Sequence, residues 1–440
     1  VISSEGIANE FYNSVKLPEN AKRVQITEKS IKKLLELKPR QLSPVPRIIN
    51  RAGNEGIGRP INFDPININP IRLRPIPGPI RPIDPRIDGR IGNNKSNTIT
   101  VKGNFSFRDG GTYVSAWAWV VKVWQKRSGT WRFLGWDYVS GNGNWSVNFA
   151  KSKVNKGLPV RVEYISKNRF VKIVKPSGNV YAWGDDWNFN SSSTLDIGNR
   201  YANLGADSNL PGMNELYKGA SIFWTKFANA GINPLRKKEI KITFPNSLST
   251  GKCRSTDGAG NPIAWSCSYS SKGEIYIIPA HANVSVTQHE IAHSVHHHFW
   301  GSFPSGSGGK HFIDQCYNGG LAITEGFANF VPFWIQKNNN ETPVIDGFSF
   351  NLETLPEDYC EGDTNEARVA ATFWDLYDYW NDGQNPNRDT MLFTNKGYVI
   401  SKFLNVKKNR MSQYREVYHS GLSDHWKERV DQVFRHNTTD

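Results

Sequence analysis

At 440 residues and 49.7 kDa the chain is too long for one ordinary domain and suits two or three. Hydrophobic residues make up 38%, low enough to put part of the chain outside any core, and no run nears the ~18 apolar residues of a membrane span, so a soluble multidomain protein is expected. The net charge of +14 is uneven: residues 1–96 carry +8, 97–200 carry +9 and 201–440 carry −3. No zinc-finger, RNP-like or helix-turn-helix signature accompanies the basic half. An anionic cell-surface polymer is therefore at least as good a partner for it as nucleic acid, with plain solubilising charge as the alternative. The chain begins at Val1 without a charged-then-apolar leader, so an export signal is expected to be already removed or left out.

Residues 1–43 hold one amphipathic helix around 28–38, with Ile31, Leu34 and Leu35 on one face and Pro39 ending it. A pro-segment, a docking helix and a frayed end all remain open for it. Residues 44–96 read as a linker, since ten prolines fall between Pro44 and Pro85. Pro60, Pro65, Pro70 and Pro75 recur every five residues, each followed by Ile. Fixed φ angles and missing N–H donors predict an extended, semi-rigid segment near polyproline II.

Residues 97–200 read as strands: Thr98–Arg108, Thr112–Lys126, Trp131–Val139, Asn144–Phe149, Leu158–Ser166, Phe170–Val174 and Val180–Trp187. Seven short strands in about 100 residues predict an all-β sandwich of immunoglobulin or transthyretin type. Eight of the 15 tryptophans lie here and are expected mainly in its core. From 201 to 440 the periodicity turns helical at Met213–Ala230, Val284–Phe299, Leu321–Ile335, Asn365–Trp380 and Ser423–Phe434, with strands at Glu239–Phe244 and Glu274–Ile278. That mixture predicts a separate α+β domain.

All four cysteines lie in this second half and none forms a CxxC. An even count predicts two disulfides; nearest-neighbour pairing gives Cys253–Cys267 and Cys316–Cys360. Disulfides imply an oxidising, secreted or cell-surface location, and seven Asn-x-Ser/Thr sequons are compatible with it.

The chemistry concentrates in Thr287-Gln-His-Glu-Ile-Ala-His293. Residues four apart share a helix face, so His289 and His293 can reach one metal, and Glu290 can aim its carboxylate at a metal-bound water. A third ligand is required. The metzincin continuation fails, because its Gly and His positions hold His296 and Phe299. Glu325, 32 residues after His293 and opening an apolar helix, supplies the alternative.

With these residues in place the chain resembles the gluzincin metallopeptidases over roughly residues 205–440, on His289-Glu290-x-x-His293 followed by Glu325-Gly-x-Ala328. Its layout also resembles secreted bacterial metalloproteases that place a β-sandwich before a zincin-type domain. The resemblance implies zinc on His289, His293 and Glu325 and peptide hydrolysis by a zinc-activated water with Glu290 as general base. Where many gluzincins have an Asp four residues past the ligand Glu, this chain has Asn329. Tyr317 and His419 are candidate donors to the transition state, an edge strand near Tyr276 is a candidate for binding substrate backbone, and Asp375 is a candidate for orienting a ligand. His296, three residues past His293, is expected to be packed or solvated, with a supporting role or a stray metal contact as the alternative. A protein or peptide is the expected substrate. The competing reading is a cell-envelope or adhesive structural protein that uses a metallopeptidase-like domain as a scaffold.

Overall fold

The computed structural model describes residues 97–438, apart from 110–111, 191–192, 204–208, 235–238, 257–259, 310, 337–343, 346–347, 350, 353–354, 357 and 378–396. The expected N-terminal helix and the proline-rich linker lie outside the described residues.

Nine strands open this region. Period-two burial drives them: in β5 (Asn144–Ala150) Trp145, Val147 and Phe149 point inward while Asn144, Ser146 and Asn148 are exposed. One sheet is built on β1 (Thr98–Asp109), which pairs antiparallel with β2 (Thr112–Ser115) and β5 and parallel with β9 (Thr194–Asn203). The other has the order β4-β3-β6-β8, from β3 (Val120–Arg127), β4 (Thr130–Tyr138), β6 (Pro159–Ile165) and β8 (Ala182–Asn188). The two sheets meet through buried aromatic rings. Phe105 of β1 stacks on Tyr164 of β6 at 3.9 Å between centroids, and Trp145 meets the same ring edge-on. The expected strand over 112–126 is broken into β2 and β3 by a turn in which Ala118 has φ 65°. That turn buries Trp119, whose indole N–H reaches Asn214.

β7 (Val171–Val174) leaves both sheets. It pairs in parallel with β10 (Ile240–Thr243), which pairs in parallel with β14 (Glu274–Tyr276). Between β10 and β14 come β11 (Arg254–Thr256), β12 (Pro262–Ala264) and β13 (Cys267–Tyr269). The stretch read as a sandwich thus lends a strand to the sheet of the following α+β part. One buried apolar cluster runs across both, from Ile99 to Phe434. An exposed edge was expected near Tyr276; instead β14 is flanked on both sides, by β10 and β13. The turn Ser270–Gly273, with Gly273 at φ 66°, folds β13 back antiparallel onto β14 and makes β13 the edge.

Seven helices of the described residues follow: α1 (Leu210–Asn229), α2 (Val284–Trp300), α3 (Gly319–Gln336), α4 (Glu366–Tyr377), α5 (Tyr398–Asn405), α6 (Arg415–His419) and α7 (Asp424–Asn437). Asn283 caps α2, its Oδ1 accepting the Val286 N–H at 2.8 Å. α3 is buried from Gly319 to Ile335, which its apolar character on every face requires. It lies between α2 and α4. At Gly326 a Cβ would fall 2.5 Å from Val369 Cγ1 and 2.8 Å from the Glu366 carbonyl oxygen, so glycine there sets how closely α3 and α4 approach. Both expected disulfides, Cys253–Cys267 and Cys316–Cys360, are formed. Among the described residues no helix is long and apolar enough to cross a membrane.

Candidate metal centre

Helical spacing brings His289 and His293 together on α2, with their Nε2 atoms 3.1 Å apart. Glu325, one and a half turns into α3, places Oε2 3.4 Å from His289 Nε2 and 3.0 Å from His293 Nε2. A tetrahedral ion with bonds of ~2.0–2.2 Å needs donor separations of ~3.3–3.6 Å. The trio's separations of 3.0–3.4 Å lie within ~0.3 Å of that range, so a small outward shift of the side chains would seat one divalent ion.

Its electrostatics suit the same purpose. Burial pushes His293 below its ordinary value, against the pull of Glu325. For Glu325 burial acts upward, but the adjacent His293 and the hydrogen bonds of His289 and His293 outweigh it and hold the carboxyl well below the usual range. Burial thus favours the neutral form of His293, and its neighbours favour the ionised form of Glu325. Deprotonated donors of this kind are what a metal ion binds. Glu290 is buried on α2 next to His289, at 5% exposure.

Two further side chains join the cluster that spacing along the chain did not reveal. His311 Nε2 lies 3.5 Å from Glu325 Oε2 and 3.5 Å from Glu366 Oε2, and its Nδ1 is 3.0 Å from the Gly309 carbonyl oxygen. Burial alone would lower the His311 pKa, but Glu325 and Glu366 raise it. The loop carrying His311 is laced to the segment before α4. Asn365 Nδ2 donates to the carbonyls of Ile313 and Gln315, Cys360 N–H donates to Asp314, and Cys316–Cys360 closes the link covalently.

The other expected residues take different places. The Tyr317 hydroxyl accepts the Phe312 N–H at 2.7 Å and donates to Gln315 Oε1, so it braces the His311 loop. His419 pairs with Asp431 at 2.6 Å, tying α6 to α7, and belongs to neither His/Glu group. Asp375 accepts from Asn437 of α7. His296 is packed rather than solvated. It is fully buried among Trp300, Phe303, Phe327 and Phe403, and burial holds it well below its ordinary pKa.

Residues 256–435, less than half of the chain, match the family described as the mycolysin C-terminal domain. The match spans both helices of the His/Glu trio and relates this part of the chain to a metallopeptidase family. No curated protein matches the chain. Among solved structures, a 9R-lipoxygenase from Cyanothece PCC8801 aligns at 15% identity and a TM-score of 0.19, over 32% of this chain and 25% of that one. A likeness that slight carries no argument about fold or function.

Proposed function

We propose that the chain is a secreted zinc-dependent endopeptidase, with His289, His293 and Glu325 as the zinc ligands and Glu290 as the general base. The observation that carries this reading is the buried trio of two imidazoles and one carboxylate, whose donors stand 3.0–3.4 Å apart beside a buried glutamate. When bound, zinc supplies Lewis acidity, lowering the pKa of a water toward ~7 and polarising a carbonyl. The Glu290 carboxylate accepts one proton from the attacking water. It then passes that proton to the amide nitrogen as the peptide bond breaks, so that water and a peptide become a carboxylate and an amine. β13 supports an endopeptidase in particular. This edge strand packs beside α2, with Ser268 Oγ 3.2 Å from Ser294 Oγ, and an extended peptide could lengthen the sheet there. The two disulfides fit an oxidising, extracytoplasmic location.

Glu290→Gln keeps the side chain's size and removes the base. In zinc-loaded full-length protein, casein cleavage should fall at least about a hundredfold with zinc content unchanged. Equal cleavage by the variant would remove Glu290 from the mechanism.

A further inference from the structure

His311 and Glu366 lie against the trio without belonging to it, and their geometry calls for a positive charge of their own. A backbone carbonyl can only accept, so Nδ1 of His311 carries the hydrogen shared with Gly309. In the neutral ring Nε2 then presents a lone pair, which faces two carboxylate oxygens, each 3.5 Å away. Three lone-pair donors turned toward one another repel unless something positive sits between them. Both separations exceed the ~2.7–2.9 Å of charge-assisted N–H···O bonds. A metal ion fits well, since separations of 3.5 Å match the ~3.3–3.6 Å edges of a tetrahedral site.

We propose that His311, Glu325 and Glu366 form a second divalent-cation site, sharing the Glu325 carboxylate with the His289–His293 site. The inference rests on the first site only through that shared carboxylate. Burial favours it: Glu325 and Glu366 are 7% and 4% exposed, an environment in which carboxylates are paired or coordinate metals. Construction favours it as well. The Cys316–Cys360 bridge and the Asn365 hydrogen bonds fix the His311 loop to the root of α4, and Gly326 lets α4 bring Glu366 up to Glu325. An oxygen bonded to two cations at ~2.0–2.2 Å keeps them at most ~4.0–4.4 Å apart, which admits the ~3.5–4 Å of two-metal hydrolytic centres.

The test is zinc stoichiometry of the full chain, saturated with zinc, freed of excess by dialysis and measured by plasma mass spectrometry. Wild type should hold two zinc ions per chain. His311→Ala and the near-isosteric Glu366→Gln should each hold one, with native circular dichroism, and the wild-type zinc absorption edge should show a metal–metal vector that both variants lack. One zinc in the wild type overturns the second site. If that ion is lost in His289→Ala and kept in His311→Ala, the first site still stands. If both variants lose it, His311 completes the first site and the proposal fails. A wild type without zinc sinks both sites.

Discussion

Gly326→Ala is the smallest change that should loosen the centre without touching a donor. The new Cβ would lie 2.5 and 2.6 Å from Val369 Cγ1 and Cβ and 2.8 Å from the Glu366 carbonyl oxygen. Carbon atoms in contact prefer ~3.5–4.0 Å, so α3 and α4 must separate by about an ångström, and the carbonyl, being backbone, cannot swing aside. Overpacking of this kind costs ~1–3 kcal/mol, and the better helix propensity of alanine returns up to ~1 kcal/mol. With two obstructions at once the net loss should be about 2 kcal/mol. The shift also draws Glu366 away from Glu325, so zinc affinity should fall tenfold or more, the scale on which misplaced supporting groups act. Equilibrium urea unfolding and competition with a chromogenic chelator measure the two effects. Gly308→Ala is the control, because a Cβ there meets nothing within 4 Å. If Gly326→Ala keeps stability within ~0.5 kcal/mol of wild type and binds zinc as tightly, the close approach of α3 and α4 does not set the centre's geometry.

Replacing both Cys316 and Cys360 by Ser opens a loop whose ends are 44 residues apart, and chain entropy puts the cost near ~4 kcal/mol. Chemical denaturation should show most of that loss, and a change under ~1 kcal/mol would contradict the fastening role given to this bridge. His296 is held neutral by burial in its aromatic cage but takes a proton in the unfolded chain, so the unfolded state binds more protons below pH ~6.5. Its contribution is complete above that pH and falls by ~1.4 kcal/mol per unit on acidification; stability measured at pH 7 and pH 5 should therefore drop more for wild type than for His296→Phe, and parallel drops would refute it.

Much of the fold was legible because it is local. Alternation marks β3 and β5 whatever they pack against, and of the apolar face legible in α2, Ile291, Ala292 and Val295 are buried while Val284 is half-buried. What alternation does not carry is partnership. Val171-Lys-Ile-Val174 reads as the same strand in either sheet, and its pairing with β10 depends on Phe170 stacking against Phe223 and Trp224 of α1, some fifty residues on. The break between β2 and β3 is equally non-local, since the turn is held by Trp119 bonding Asn214. β9 was missed for a related reason. Its alternation is interrupted at Gly198, where φ is 67° and the register with β1 shifts between Lys102 and Asn104.

The centre divides along the same line. His289 and His293 announce themselves because a single helix enforces their proximity, and Glu325 stands out as a carboxylate on a helix otherwise too apolar to carry one. His311 has no such signal. It sits in a Gly- and Ser-rich loop, and its position follows from fastenings to residues 360–365 that no spacing encodes. Glu366 lies in the first turn of α4, where the helix dipole favours any acid, so its type and place carry no signal. The missing side chain at Gly326 lets α4 close on α3 and brings that position to the candidate centre. Donors on one helix can thus be read from their interval. Donors on a loop and a neighbouring helix become visible only through the bridge, the amide and the glycine that hold them in place.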